Sequence, residues 1–226
     1  MKRATQLFSE KSRSRVSSAI RDAELKTSAE IVPVVATASG RYDRAEAVFG
    51  FLMSLILVSL GWLICPYLHP QADWGQGMFL NSSGLLPFLV TMVIGFALGN
   101  TLASYVPVFK LPFVPNREIQ EGVMRAAQAT FMSSKIRKTK GATGILLYIS
   151  LLEHRVIVLP DEMIAEKLPD HDWKDICDIL VDGMKQKHPV PALEKAIERC
   201  GNLLKEVLPR EQDDVDELKN ELVLID

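Results

Sequence analysis

No two cysteines fall in a C-x-x-C pair. Cys65, Cys177 and Cys200 stand alone, so the sequence offers no disulfide framework and no thiolate zinc site, and they read as small buried thiols in a reducing compartment. There is no basic stripe with interleaved aromatics, and the formal net charge is −2. Electrostatic capture of nucleic acid is thereby excluded. G-x-S-x-G, P-loop, H-E-x-x-H and Cys/His dyad spacings are all missing, which removes the common hydrolase and nucleotide-binding signatures. His154, His171 and His188 are too scattered to form a zinc site, and Asp170-His171-Asp172 reads as a helix cap. The opening run "MKRATQLFSEKSRSR" has no apolar core behind its first charges, so a cleavable signal peptide is not expected.

Charge is also missing from two long internal runs. Residues 47–67 and 85–106 contain no Asp, Glu, Lys or Arg. Each reaches the roughly 20 residues that carry a helix across about 30 Å of hydrocarbon. Trp62, Tyr67 and Trp74 fall near one interface and Tyr105 near the other, as amphipathic rings prefer. The connection from Leu68 to Gly84 has no Lys or Arg, whereas the segments before the first run and after the second are rich in both. The positive-inside rule then expects a multi-pass protein of a bacterial-type inner membrane with both termini cytoplasmic. Gly95-x-x-x-Gly99 and Gly50-x-x-x-Ser54 would let the two spans pack closely, with Asn100 hydrogen bonding across them. The same surfaces could serve homo-oligomerisation. Two spans without an ionisable residue do not make an ion path.

The flanking soluble parts are incomplete apart. Residues 1–46 supply a helix over 9–26, with Ser9 as its cap, and a strand over 30–36, "EIVPVVA". Pro33 in that strand cannot donate a ladder bond, which favours an edge or a bulge. After the hairpin of residues 47–108, residues 109–209 supply a helix over 117–138 and the hairpin "GILLYISLLEHRVIVLP", both of whose strands read as buried on both faces. Helices over 161–167 and 172–187 follow, with a last one opening at Pro191. Residues 210–226 read as an acidic, mobile, solvated tail. Joined, the parts predict one α/β domain with helices on both faces of a small mixed sheet, interrupted by a transmembrane hairpin.

"AELKTSAEIVPVV", "RAAQATF", "TGILLYISLLEHRVIVL" and Trp173 in the next helix together resemble the TPM domain, a family named for thylakoid-lumen, photosystem-associated and receptor-modulating members. The resemblance implies a Rossmann-like α/β/α sandwich, a metal-assisted acid phosphatase activity, binding of a divalent cation (Ca²⁺ in some members), and a role in photosystem repair or membrane-protein assembly. Many members carry a Gly-x-Gly turn where this chain has Pro160-Asp161-Glu162.

The first strand and the Gly144 strand are joined by a long crossover, so they are expected to run parallel. Ligands in open α/β sheets bind outside the carboxyl ends of such strands. Asp43 and Glu153 are the candidate catalytic or metal-binding carboxylates there, and Arg41, Arg44 and Arg155 the candidate phosphate or headgroup ligands. The simpler reading makes all five solvated turn residues, with the arginines on anionic lipid. Two functions stay open: an accessory or interaction factor working with membrane lipid and a membrane-protein partner, and a metal-assisted phosphatase.

Overall fold

The computed structural model describes residues 3–68, 85–134, 136, 143–211 and 218–226. The elements run α1 (Ala4–Leu7), α2 (Glu10–Glu24), β1 (Glu30–Ala36), α3 (Asp43–Leu68), α4 (Leu85–Tyr105), α5 (Asn116–Ser133), β2 (Gly144–Ser150), β3 (Arg155–Pro160), α6 (Glu162–Ala165), α7 (Lys174–Lys185), α8 (Pro189–Val207) and β4 (Val223–Ile225). They form two compact units. One spans residues 41–116; the other joins residues 2–40 to 117–226. Trp74, the connection 69–84, the side chains of Cys65 and Tyr67, and the expected helix end around Lys138 lie outside the described residues.

The larger unit is mixed α/β. Its four-stranded sheet has the order β3-β2-β1-β4. β1 pairs with β2 in parallel over its whole length, Glu30 opposite Gly144 and Ala36 opposite Ser150. β3 runs antiparallel to β2, and β4 parallel to β1. Every residue of β1 and β2 is buried, which is why both read as nearly unbroken apolar runs without alternation. Ile31, Val35, Ile145, Leu147 and Ile149 point to one face, where they join a core with Val16 and Ile20 of α2, Leu180 of α7 and Leu193 and Ile197 of α8. Val34, Leu146 and Tyr148 alternate to the opposite face and are equally buried. β3 corrects the sequence reading: it is an edge strand and only half-buried. Its apolar run "VIVL" has the composition of a central strand, but among the described residues no strand pairs with its outer edge.

Ser9 caps α2 by accepting a hydrogen bond from Ser12 N–H, and Asp161 caps α6 at Glu162 N–H, 2.9 Å away. Both caps satisfy amides that the first helical turn leaves without partners.

Pro33 lies inside the sheet, yet it breaks no ladder bond. Glu30 N–H donates to Thr143 O on the β2 side. Backbone direction alternates along a strand, so residues 31, 33, 35 and 37 face the β4 side, as the bond from Thr37 N–H to Ile225 O confirms. β4 pairs only from Val34 onward. Pro33 therefore occupies the stretch of β1 that β4 does not reach. Two residues earlier on that same edge, Ile31 N–H donates to Glu24 Oε1 at 2.9 Å, so a buried carboxylate from α2 takes the place of a strand carbonyl.

The tail is the second correction. It does not end as a solvated segment, because Val223–Ile225 form the fourth strand. Thr27 Oγ1 donates to Leu208 O at 2.6 Å and Arg210 donates to Glu24 O at 3.1 Å, which fix the start of the tail beside the α2–β1 turn. At its end, the Asp226 carboxylate accepts from Thr5 N–H, Thr5 Oγ1 and Thr37 Oγ1. These bonds hold its side chain below the usual carboxylate range, opposed only by partial desolvation. A carboxylate with a lowered folded pKa stabilises the fold above its unfolded value and loses that contribution as pH falls through the folded one. NMR signals of Thr5 and Thr37 are therefore expected to stay constant above the ordinary value of 3.8 and to shift together below it. The Asp226→Asn variant should abolish that transition.

In the smaller unit, α3 and α4 pack as an antiparallel pair with very close backbones. A Cβ on Gly99 would lie 2.7 Å from Met53 Cβ and 2.9 Å from Gly50 Cα, and one on Gly95 would lie 2.8 Å from Ser54 Cα. Small residues permit this approach, and no larger side chain fits. Asn100 meets Gly50 through its backbone N and its Cβ. Both helices contain stretches long and apolar enough to cross a membrane, Asp43–Ile64 and Leu86–Tyr105.

Candidate functional site

The carboxyl ends of β1 and β2 lie side by side, and the ladder continues past them. Leu151 N–H donates to Ala36 O at 2.9 Å and Leu152 N–H to Thr37 O at 3.0 Å. The chain then turns through Glu153 and His154 into β3, with His154 in the left-handed region at φ 51°.

Glu153 is not solvated. It is buried, and its carboxylate gathers the edge together. Oε1 accepts from Ser39 N–H at 2.9 Å and from Gly40 N–H at 3.1 Å. Oε2 accepts from the Ser150 hydroxyl. Ser39 Oγ stands 2.7 Å from Ser150 Oγ and 3.1 Å from the Tyr148 hydroxyl. Donor counting fixes the direction of the chain. Ser150 has one hydroxyl proton, given to the carboxylate, so Ser39 must donate to Ser150 and Tyr148 to Ser39. The result is a one-way relay, Tyr148 to Ser39 to Ser150 to Glu153, in which each bond polarises the next. Burial pushes the Tyr148 phenol above its usual range; the Ser39 hydrogen bond offsets part of this, and the Glu153 charge adds to it.

This arrangement is a latch. Tyr148, Ser150 and Glu153 are 2%, 1% and 7% exposed, so no substrate reaches the serine beside the carboxylate. Both oxygens of Glu153 already accept hydrogen bonds from protein donors. Among the described residues no group of three or more His, Cys, Asp or Glu is placed to hold a metal ion.

The other predicted residues are distributed between the units. Arg155 opens β3 and is exposed. Arg41, Asp43 and Arg44 belong to the smaller unit. Asp43 is the first residue of α3, where a negative charge suits the helix N-terminus. Tyr42 precedes it at φ 52°, and its carbonyl accepts from Ala45 and Glu46 N–H. Arg41 contributes its carbonyl, which accepts from Lys110 Nζ at 2.8 Å.

Sequence reasoning missed the main polar contact of the smaller unit. Lys110 Nζ lies 2.6 Å from Glu46 Oε1, with both side chains largely shielded from water. Ser104 Oγ donates to Glu46 Oε2 at 2.6 Å. The signal was there: an acid just before the first apolar run and a base just after the second meet when the runs form an antiparallel hairpin. Phe49 completes the cluster, stacking on Phe109 and meeting Phe113 edge-on.

The protein is thus an α/β domain on a four-stranded mixed sheet, whose chain is interrupted after β1 by an apolar helical hairpin. Residues 113–203 match the family model of the TPM domain. β1 lies upstream of that match yet pairs with β2 across seven positions. Among solved structures the chain is similar to the BA42 protein of the psychrophilic bacterium Bizionia argentinensis, determined by NMR. The two are 18% identical with a TM-score of 0.58, and the similarity covers 99% of each chain. At that identity the likeness concerns the fold. No curated protein matches.

Proposed function

We propose that the chain is an integral membrane protein whose α3–α4 hairpin anchors a cytoplasmic TPM domain, and that it acts as an accessory factor binding a membrane-protein partner during assembly or maintenance of membrane complexes. The observation that carries this reading is the outward apolar surface of the hairpin. Only 11% and 17% of its two spanning windows are buried, and Leu63, Leu86 and Val93 are each more than 60% exposed. At about 25 cal/mol per Å² such faces are unfavourable in water and at home in lipid. The Lys/Arg excess on both flanks supports cytoplasmic termini. The occupied carboxylate of Glu153 supports binding over hydrolysis.

Four measurements test the proposal. Membranes washed at alkaline pH should retain the protein. A reporter active only after export, fused after Asp226, should stay silent; an exported signal would overturn the orientation. Cross-linking in native membranes should yield one membrane-protein partner in stoichiometric amount. Purified protein should not turn over an aryl phosphate with divalent cations. Turnover that survives purification and disappears in Asp43→Ala or Glu153→Ala would replace the accessory role with a phosphatase.

A further inference from the structure

The Glu153 latch occupies one face of the sheet's carboxyl edge. On the other face the same edge opens into a cleft of about 470 Å³, within the range of small-molecule sites, about 300–1,000 Å³. Ile149 of β2, Val156 of β3, and Val181 and Met184 of α7 form its apolar wall, continuous with the main core. Met184 adds a side chain that adapts to irregular apolar shapes. The rim has one sign of charge: Arg155, Lys185 and Lys187, with His154 beside them, and no Asp or Glu lines the cleft. Lys185 has a loose ion pair with exposed Asp182 at 3.7 Å. Arg155 and Lys187 have none among the described residues.

The backbone carries Lys187 to the rim at a cost. α7 ends in a Schellman motif: His188 N–H donates to Gly183 O at 2.9 Å and Lys187 N–H to Met184 O at 3.1 Å. The residue at this turn must enter the left-handed region, where glycine is the usual occupant. Here it is Lys187, at φ 61°. Two of the three non-glycine residues with positive φ in the described structure, His154 and Lys187, flank this one cleft. Local strain that brings cationic or polar side chains to a cavity mouth is what a binding site would use.

We propose that the cleft binds a single-chain anionic amphiphile of the fatty-acid class, with its alkyl chain against Ile149, Val156, Val181 and Met184 and its carboxylate between Arg155 and Lys187. A neutral apolar ligand would leave the cationic rim unused. A free inorganic anion would leave the apolar wall in water.

The test uses the full chain in nanodiscs of zwitterionic lipid and a twelve-carbon carboxylate bearing a photoreactive diazirine on its alkyl chain. Mass spectrometry after irradiation should place the label on β3 and α7. Dodecanoate should compete it away, and dodecanol should compete at least about tenfold less well, equivalent to about 1.4 kcal/mol. Arg155→Glu with Lys187→Glu should reduce labelling by about tenfold or more, and Val181→Trp, which fills the cleft, should remove it. Lys187→Gly separates binding from folding. It relieves the strained turn, so the melting temperature should rise by about 2–4 °C while labelling falls several-fold. Label confined to α3 and α4, equal competition by dodecanol, or labelling unchanged in the charge-reversed variant would each overturn the proposal.

Discussion

Replacing Glu153 by alanine is expected to destabilise the α/β unit by about 3 kcal/mol, although the residue sits in a polar turn followed by His154 and Arg155. The substitution removes the acceptor for Ser39 N–H, Gly40 N–H and the Ser150 hydroxyl at once. A buried donor left without a partner costs about 1–3 kcal/mol, and some of these groups will recover water as the turn relaxes. Hydrogen exchange at Ser39 and Gly40 should accelerate most, because those amides lose their carboxylate acceptor. Glu153→Gln keeps the shape and one carbonyl oxygen for the two amides, and should cost about 1 kcal/mol. Urea titration of the detergent-solubilised protein gives both values. If Glu153→Ala left stability unchanged and instead abolished a divalent-cation-dependent activity, the carboxylate would be a ligand and the latch interpretation would fail.

The fate of Glu153 shows where the sequence is legible and where it is not. β1 and β2 were legible because their apolar runs are long, lie between turn residues, and need cover on both faces. Their parallel pairing followed from the long crossover between them. The close approach of the hairpin helices could be read from Gly50, Gly95 and Gly99, since a missing side chain leaves a mark in the sequence. The burial of Glu153 could not be read, because its partners, Ser39 and Gly40, lie more than a hundred residues upstream. Glu-His-Arg has the composition of a solvated turn, and only tertiary structure distinguishes the buried acid from the exposed histidine and arginine beside it. β3 was over-read for a related reason: an edge strand and a central strand can have the same apolar run. The charge pairing of Glu46 with Lys110 is hidden in the sequence because the two stand 64 positions apart, and only the hairpin brings the flanks together.

Deleting Leu222–Asp226 is expected to have the largest effect, about 3–5 kcal/mol, from the segment that composition marks as a solvated acidic end. Leu222 is 8% exposed, and Leu224 packs on the main core; a fully buried leucine contributes about 1.5–3 kcal/mol. The deletion also opens the edge of β1 from Val34 to Ala36 and removes the carboxylate that ties Thr5 to Thr37. A loss of this size is a large fraction of the 5–15 kcal/mol typical of a domain. β4 escaped sequence reading because three residues are too few to establish a period of two, and the carboxylates before it suggest a chain that stays in water. The effect has a position-specific signature that a general loss of stability would not produce. Val35 and Thr37 turn their amides toward β4 and should lose exchange protection, whereas Val32, Val34 and Ala36 turn theirs toward β2 and should keep it under conditions where the domain stays folded. Uniform loss of protection along β1 would mean that the tail supports the whole sheet, and unchanged protection at Val35 and Thr37 would mean that it does not pair in solution. Leu222→Asp with Leu224→Asp, which leaves the chain at full length, should reproduce the alternating pattern, because the strand cannot dock when its two inward side chains are charged.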